Sequence, residues 1–127
     1  MMGNRIMVVD DEQNILFLLE TRLTNAGYLV TTANNGEAAL RLVKSARPDL
    51  ILLDIMLPNI DGGEVHRILK SNPEPKDIPI IFLSSLYTKN EETKEGHIGG
   101  YDSIAKPFEP VELLEKIKRI LSSKTKL

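Results

Sequence analysis

The 127-residue sequence predicts a single α/β domain in which helices cover both faces of a parallel sheet. Short, continuous apolar runs indicate strands that are buried on both sides, as in parallel sheets. Between these runs, apolar residues recur every three or four positions, which is typical of amphipathic helices. The two patterns alternate along the chain as five strand–helix units, and right-handed crossovers then leave few topologies to consider.

Five strands are predicted from runs that are short and rich in apolar residues. The second run mixes apolar residues with threonine, as an edge strand can. The runs cover residues 6–9, 28–32, 50–53, 78–83 and 103–105.

Four helices are predicted from apolar residues at helical spacing, and Gly27 is expected to end the first of them. Segment 88–96, where the helix of the fourth strand–helix unit would lie, is almost entirely polar. A helix there would bury little apolar surface and is expected to be mobile. The basic residues of segment 116–126 are interpreted as cations at the carboxyl end of a helix dipole. The predicted inward residues are Ile15, Leu16, Leu19, Leu23, Ala26, Ala39, Leu42, Val43, Ala46, Val65, Ile68, Leu69, Val111, Leu114, Ile117 and Leu121.

Composition argues against several classes of function. Sixteen Lys and Arg residues against 18 Asp and Glu give a net charge of −2, whereas binding a nucleic-acid backbone needs a basic surplus. The chain has no cysteine, which excludes a disulfide scaffold, a thiolate metal site and a cysteine nucleophile. No apolar run is long enough for a membrane span or a signal peptide, so we expect a cytoplasmic protein without membrane contact.

Polar residues follow four of the five predicted strands: Asp10 and Asp11, Asp54, Ser84 and Lys106. In an open parallel sheet, ligands bind outside the carboxyl ends of the strands. Carboxylates gathered there repel, by about 4 kcal/mol per pair at 4 Å and an effective dielectric of 20. A divalent cation that prefers oxygen ligands, such as Mg²⁺, would offset this repulsion.

A carboxylate, a cation, a lysine and a hydroxyl together suit phosphoryl transfer. Asp54 stands alone at the end of the central run and would be the attacking nucleophile. Asp10 and Asp11 stand one behind the other and are better placed as metal ligands. Lys106 would balance charge on the phosphoryl oxygens, and Ser84 would donate a hydrogen bond to one of them.

Each strand-end residue also has an ordinary structural explanation. Asp10 or Asp11 can cap the following helix, and Asp54 can begin a loop. Ser84 can bond to backbone groups in a turn, and Lys106 can be a solvated strand end. Their joint placement at one edge of the sheet favours a functional site over four separate structural roles.

Four separated motifs resemble the receiver domain of two-component response regulators: VVDDE at 8–12, LLDIMLP at 52–58, DG at 61–62 and KPF at 106–108. The motifs stand in the order of that family, and the likeness covers about residues 5–121 of a single domain, 1–127. The resemblance implies a flavodoxin-like, doubly wound (βα)5 three-layer sandwich with strand order 2-1-3-4-5. It also implies a cis peptide between Lys106 and Pro107.

The resemblance implies phosphorylation of Asp54 by the phosphohistidine of a histidine kinase or histidine phosphotransfer protein. Mg²⁺ would be bound by Asp11, Asp54 and the backbone carbonyl of Met56, with Asp10 assisting through water. The added charge, roughly −1.5 to −2, would switch a protein–protein interaction surface. Such a domain assists its own phosphorylation and dephosphorylation and is not a turnover enzyme.

Lys106 would pair with the phosphoryl group, and Ser84 would swing in to bond one of its oxygens. The family places an aromatic residue three positions before this lysine, where the chain has Ser103, while Tyr101 lies two residues earlier. We expect the aromatic part of the switch to be absent or relocated to Tyr101.

Met56 and Leu86 stand two residues beyond Asp54 and Ser84, where polar residues of the family position the hydrolytic water. Their apolar side chains imply slow self-dephosphorylation.

Three other functions are considered. An aspartate-nucleophile phosphatase usually carries a second Asp where this chain has Met56. A flavin or dinucleotide binder would need a glycine-rich or hydroxyl-rich loop where Asp10 and Asp11 stand. A docking module that works unphosphorylated would not require the acids and Lys106.

The output of the signal is not encoded in a recognisable segment. Six residues follow Leu121, too few for an effector domain, so the target is either a separate protein or an output domain of a longer regulator or hybrid kinase. We expect no direct nucleic-acid contact from this domain, and a monomer or a weak dimer on phosphorylation.

Overall fold

In the computed structural model, which describes residues 4–71, 78–84, 97–98 and 101–125, five strands form a parallel sheet. Counted alone, they have the predicted order 2-1-3-4-5. A two-residue strand, β5 (His97–Ile98), is an addition to the prediction and pairs antiparallel at the edge. The parallel strands are β1 (Arg5–Val9), β2 (Leu29–Ala33), β3 (Leu50–Asp54), β4 (Ile80–Ser84) and β6 (Tyr101–Ala105).

Four helices in the described ranges cover the two faces of the sheet and confirm the three-layer prediction. Helices α1 (Gln13–Asn25) and α4 (Pro110–Thr125) pack on one face, and α2 (Gly36–Ala46) and α3 (Gly62–Ser71) pack on the other. Successive strand residues point to opposite faces, so β1 and β3 contribute alternately to the two cores. Every residue of β3 is buried, as its continuous apolar run predicts.

Side-chain caps fix the starts of α2 and α3. Asn35 Oδ1 accepts a hydrogen bond of 2.7 Å from the amide of Ala38, and Asp61 Oδ1 accepts one of 2.9 Å from the amide of Glu64. Gly27 has a φ of 97°, a left-handed conformation that suits glycine after a helix end. Its predicted role in ending α1 is confirmed.

The inward face of α4 differs from the prediction. Val111 was expected to face the core but is 66% exposed, whereas Leu113 is 1% exposed. The buried stripe runs through Leu113, Ile117 and Leu121, and residues two positions apart lie on nearly opposite sides of a helix. Ala26, also predicted to face inward, is exposed and lies just beyond α1 as its C-cap.

Segment 88–96, with its predicted mobile helix, lies outside the described residues, and so does Leu86. None of the helices in the described ranges combines the length and the apolar character that crossing a bilayer needs.

Lys116 departs from the helix-dipole interpretation of the basic segment 116–126. Its side chain is directed inward from α4, with 7% of the residue exposed. Its Nζ atom donates a hydrogen bond of 2.7 Å to the carbonyl of Ser103 on β6. The long aliphatic stem lets a lysine lie against apolar surface while its ammonium reaches a polar partner. Lys116 therefore ties α4 to the last parallel strand.

The substitution Lys116→Met should lower the free energy of unfolding by about 1–2 kcal/mol, because it keeps the apolar stem but removes a buried donor to the Ser103 carbonyl. Urea denaturation followed by circular dichroism measures this. Lys118→Met is the matched control, since Lys118 is exposed on the same helix and should change stability by less than about 0.5 kcal/mol. Equal effects of the two substitutions would contradict the structural role of Lys116.

Candidate functional site

The register of the sheet brings polar residues to one edge. β1 and β3 pair so that Asp10, directly after β1, lies beside Asp54 at the end of β3. β4 pairs with both β3 and β6 and ends in Ser84. The Ser84 carbonyl accepts a hydrogen bond of 2.8 Å from the amide of Lys106, which follows β6. Four strands thus deliver their terminal residues to adjoining positions.

Asp10, Asp11 and Asp54 form an acidic triad. One carboxylate oxygen from each residue lies within 4.8 Å of the other two. Asp10 is fully buried and Asp54 is 4% exposed, whereas Asp11 is open to solvent. The sequence predicts this convergence, and the structure brings the three residues together.

Lys106 follows β6, and its side chain contacts the triad across the end of β4. Its Nζ atom lies 2.7 Å from Asp10 Oδ2 and 3.3 Å from Asp54 Oδ2. A third carboxylate, Glu12, has its Oε1 atom 3.3 Å from the same ammonium. The Lys106 side chain is only 10% exposed, so these ion pairs are partly shielded from solvent. The Lys106–Pro107 peptide is cis, as predicted.

Burial and like charge shape the electrostatics of Asp54. Burial raises the pKa of Asp54, and the nearby Asp10 carboxylate raises it further. The Lys106 ammonium and a 3.1 Å hydrogen bond from the Met56 amide to Asp54 Oδ1 act in the opposite direction but do not outweigh these effects. The ionised Asp54 side chain is therefore less favourable in the folded protein than in water.

Lys106 experiences the converse balance. Burial alone would lower the pKa of Lys106, but its contacts with Asp10 and Asp54 together raise the pKa above the ordinary value of 10.5. The side chain is therefore a permanent positive charge at neutral pH. One ammonium does not neutralise three carboxylates, so the site keeps a negative surplus.

The donor set fits a hard divalent cation. The triad offers three carboxylate oxygens, the ligand type that Mg²⁺ prefers. Asp10 Oδ2 is buried and forms no hydrogen bond within the described ranges, so its charge is balanced by the Lys106 contact alone. A buried carboxylate oxygen with spare acceptor capacity is consistent with a cation site.

The capping explanation for Asp10 and Asp11 is not what the structure shows. The N-cap residue of α1 is Glu12, and its side chain makes no capping hydrogen bond among the described residues. Asp10 Oδ1 instead accepts a hydrogen bond of 2.9 Å from the Glu12 amide, which fixes the turn between β1 and α1. The carboxylate of Asp10 thus orders the loop that carries Asp11.

Ser84 and Tyr101 are the residues predicted to switch, and the structure describes the side chain of Ser84 but not that of Tyr101. Ser84 is 1% exposed at the end of β4. Ser103 is equally buried on β6, where the resemblance leads one to expect an aromatic ring. The side chain of Tyr101 lies outside the described residues, so its proposed substitution for that ring stays a prediction.

Gly62, the glycine of the DG motif, has a positioning role that the motif by itself does not reveal. Its amide donates a hydrogen bond of 2.8 Å to the carbonyl of Ile55. A Cβ atom on Gly62 would overlap the carbonyl oxygen of Asp54 and lie 2.8 Å from Ile55 Cα. The start of α3 therefore rests directly on the backbone that presents Asp54. The sequence signal for Gly62 is its place in the DG motif at 61–62, at the start of a predicted helix.

Comparison with known proteins identifies the class. The sequence model of the response regulator receiver domain family matches residues 6–118, and the chain belongs to this family. It is 42% identical over 123 residues to "Probable transcriptional regulator ycf27" of Porphyra purpurea, covering 97% of this chain and 49% of that protein. The chain thus spans about half the length of the curated relative.

Solved structures share the fold. The signal receiver domain of a signal transduction histidine kinase from Syntrophus aciditrophicus superposes with a TM-score of 0.84 at 32% identity, covering 98% of this chain and 95% of that one. The receiver domain of sensor histidine kinase PA1611 from Pseudomonas aeruginosa has a TM-score of 0.79 at 30% identity, covering 94% and 98%. That structure has a magnesium ion coordinated in its active site cleft.

The substitution Gly62→Ala should destabilise the protein by about 1–3 kcal/mol, because the added methyl group forces α3 away from the Asp54 backbone. Chemical denaturation measures the loss, and backbone amide shifts of residues 54–56 should move in NMR spectra. Gly63→Ala is the matched control in the same turn, since its Cβ meets only Asp61 Oδ1, at 3.4 Å. It should be neutral or stabilise the helix by up to about 1 kcal/mol. A neutral Gly62→Ala variant would contradict the proposed close packing.

The substitution Asp54→Asn should raise the free energy of unfolding at neutral pH. Because folding raises the pKa of Asp54, the ionised group destabilises the folded state above that pKa, and the cost disappears as the pH falls toward the ordinary value of 3.8. The advantage of Asp54→Asn should therefore shrink on acidification. Denaturation curves between pH 7 and pH 4 test this, with Glu20→Gln on the exposed face of α1 as the charge-matched control. A destabilised Asp54→Asn variant at pH 7 would refute the argument.

Proposed function

We propose that Asp54 accepts a phosphoryl group from the phosphohistidine of a histidine kinase or histidine phosphotransfer protein, in a Mg²⁺-dependent reaction. The observation that carries the proposal is the arrangement at the sheet edge, where three carboxylates converge and Lys106 contacts two of them. Membership of the receiver domain family supports the same reaction class. The phosphorylated domain would then present a changed surface to a protein target.

In the proposed reaction, a carboxylate oxygen of Asp54 attacks phosphorus in line with the phosphorus–nitrogen bond of the donor. That bond breaks, and the imidazole leaves with the electron pair and takes up a proton. Lys106, already within 3.3 Å of Asp54, would pair with the transferred phosphoryl oxygens. Ser84, at the adjoining strand end, would donate a hydrogen bond to another of these oxygens.

Asp11, Asp54 and the backbone carbonyl of Met56 would hold Mg²⁺ directly, with Asp10 assisting through water. The acidic triad supports this assignment by its oxygen donors and its negative surplus. When bound, the ion supplies positive charge that stabilises the phosphoryl oxygens. Asp10 also keeps Lys106 in place through the 2.7 Å ion pair.

The wider role of the protein is proposed on the same basis. The chain would act as one domain, 1–127, that turns over no substrate other than its own aspartyl phosphate. Its target would be a separate protein or an attached output domain, in keeping with a relative that is about twice as long. We also propose a cytoplasmic location, no direct nucleic-acid or membrane contact from this domain, and a monomer or a weak dimer on phosphorylation.

Incubation with acetyl phosphate or phosphoramidate should add the mass of one phosphoryl group, measured by intact mass spectrometry. The increment should require Mg²⁺ and should be lost in Asp54→Asn, because Asp54 supplies the attacking oxygen. Asp61→Asn is the matched control, since Asp61 caps α3 outside the triad. Modification of Asp54→Asn to the same extent as the unsubstituted protein would refute the assignment.

The same preparation, freed of donor, reports how long the phosphoryl group survives. Met56 is 56% exposed beside Asp54, and its side chain offers no polar group to orient an attacking water. Self-dephosphorylation should therefore be slow, and a lifetime of seconds would contradict this expectation.

A further inference from the structure

Lys106 is shared among carboxylates of two kinds. Asp10 and Asp54 contact its ammonium and also belong to the acidic triad that would hold the metal. Glu12 contacts the ammonium at 3.3 Å but is not a member of the triad. A cation bound at the triad would repel the ammonium and would draw on the charge of both triad partners. Glu12 is then the contacting carboxylate whose attraction for Lys106 is least reduced.

The local structure leaves the Glu12 side chain available for this contact. Glu12 is the N-cap residue of α1, yet its side chain makes no capping hydrogen bond with the described residues. Its backbone is fixed by the hydrogen bond from its amide to Asp10 Oδ1. Its side chain is 63% exposed, so bringing the carboxylate to the ammonium costs little desolvation.

Three carboxylates surround the ammonium. Its Nζ atom donates hydrogen bonds of 3.3 Å to Glu12 Oε1 and to Asp54 Oδ2, and Asp10 Oδ2 lies 2.7 Å away as an ion pair. Without Glu12, the ammonium would be directed entirely toward the two triad members. It would then compete for the same oxygens as the metal.

We propose that Glu12 is a positioning residue. When a divalent cation occupies the triad, Glu12 holds the Lys106 ammonium on the solvent-exposed side of the site. This inference rests on the proposed function, because it concerns the metal that phosphorylation would require. Glu12 thereby lets the metal and the ammonium occupy the site together. The ammonium stays within reach of Asp54, where the phosphoryl group would arrive.

The test is a double-mutant cycle on Mg²⁺ affinity, measured by titrating MgCl₂ into isotope-labelled protein and following amide shifts in NMR spectra. The four proteins are the unsubstituted chain, E12A, K106M and E12A/K106M. A direct charge effect of Glu12 on the metal would be equal with and without Lys106, whereas an effect exerted through Lys106 disappears in K106M. We expect E12A to weaken Mg²⁺ binding about threefold more in the Lys106 background than in K106M.

A second measurement keeps Lys106 intact, because K106M leaves the buried Asp10 carboxylate without its counter-charge and can compromise folding. In the Mg²⁺-saturated protein, the metal draws on the charge of Asp10 and Asp54, so Glu12 is the contacting carboxylate left to hold the Lys106 ammonium. The ¹⁵N-ammonium signal of Lys106 should therefore be detectable in the unsubstituted chain and broadened by solvent exchange in E12A. E20A, a substitution of another exposed acid at the start of the chain, is the control and should change neither quantity.

The outcomes separate this inference from the proposed function. Failure of the unsubstituted protein to bind Mg²⁺ would overturn the proposed function itself. Mg²⁺ binding with equal E12A effects in both backgrounds, or with an unchanged ammonium signal, would overturn the role of Glu12 alone. A coupling near threefold together with loss of the ammonium signal would support it.

Discussion

The ion pair between Lys106 and the fully buried Asp10 is the constraint on which the site depends. A carboxylate removed from water needs a partner, and the 2.7 Å contact with Lys106 supplies it for an oxygen that has no hydrogen bond within the described ranges. The two residues follow β1 and β6, which are separated in the sheet by β3 and β4. Lys106 therefore reaches across the ends of both intervening strands, and it contacts Asp54 on the way. The strand order thus determines which groups can meet.

The same arrangement sets the reactivity of the site against the stability of the fold. Burial and the neighbouring Asp10 raise the pKa of Asp54, which means that the ionised side chain destabilises the folded state. Proteins tolerate such local conflicts mainly at functional sites, where a ligand relieves them. Here the uncompensated negative charge of the triad is what would attract a cation. The unfavourable electrostatics and the proposed affinity for Mg²⁺ are two consequences of one geometry.

The strands and helices could be predicted because their sequence signals are local, whereas the strand order followed from the family resemblance. Continuous apolar runs identify buried strands, and a polar residue after each run identifies the binding edge without any knowledge of tertiary contacts. The failures concern neighbours in space. Whether Val111 or Leu113 faces the core depends on how α4 is rotated against the sheet, and both positions are apolar. The sequence favours a helix-dipole role for Lys116 because nothing in its sequence neighbourhood indicates that Ser103 offers it a carbonyl.

Two residues of the quoted motifs, whose roles the sequence did not reveal, act through shape or through a shared partner. Gly62 is important for the atom it lacks, since a side chain there would overlap the backbone carbonyl of Asp54. Glu12 matters because it contacts Lys106, which is distant in the sequence and also contacts Asp10 and Asp54. Neither residue type would attract notice alone, because glycines begin many turns and glutamates begin many helices. Residues that carry charge to a strand end can therefore be found from sequence, whereas residues that hold those charges in position are found only once the sheet has aligned them.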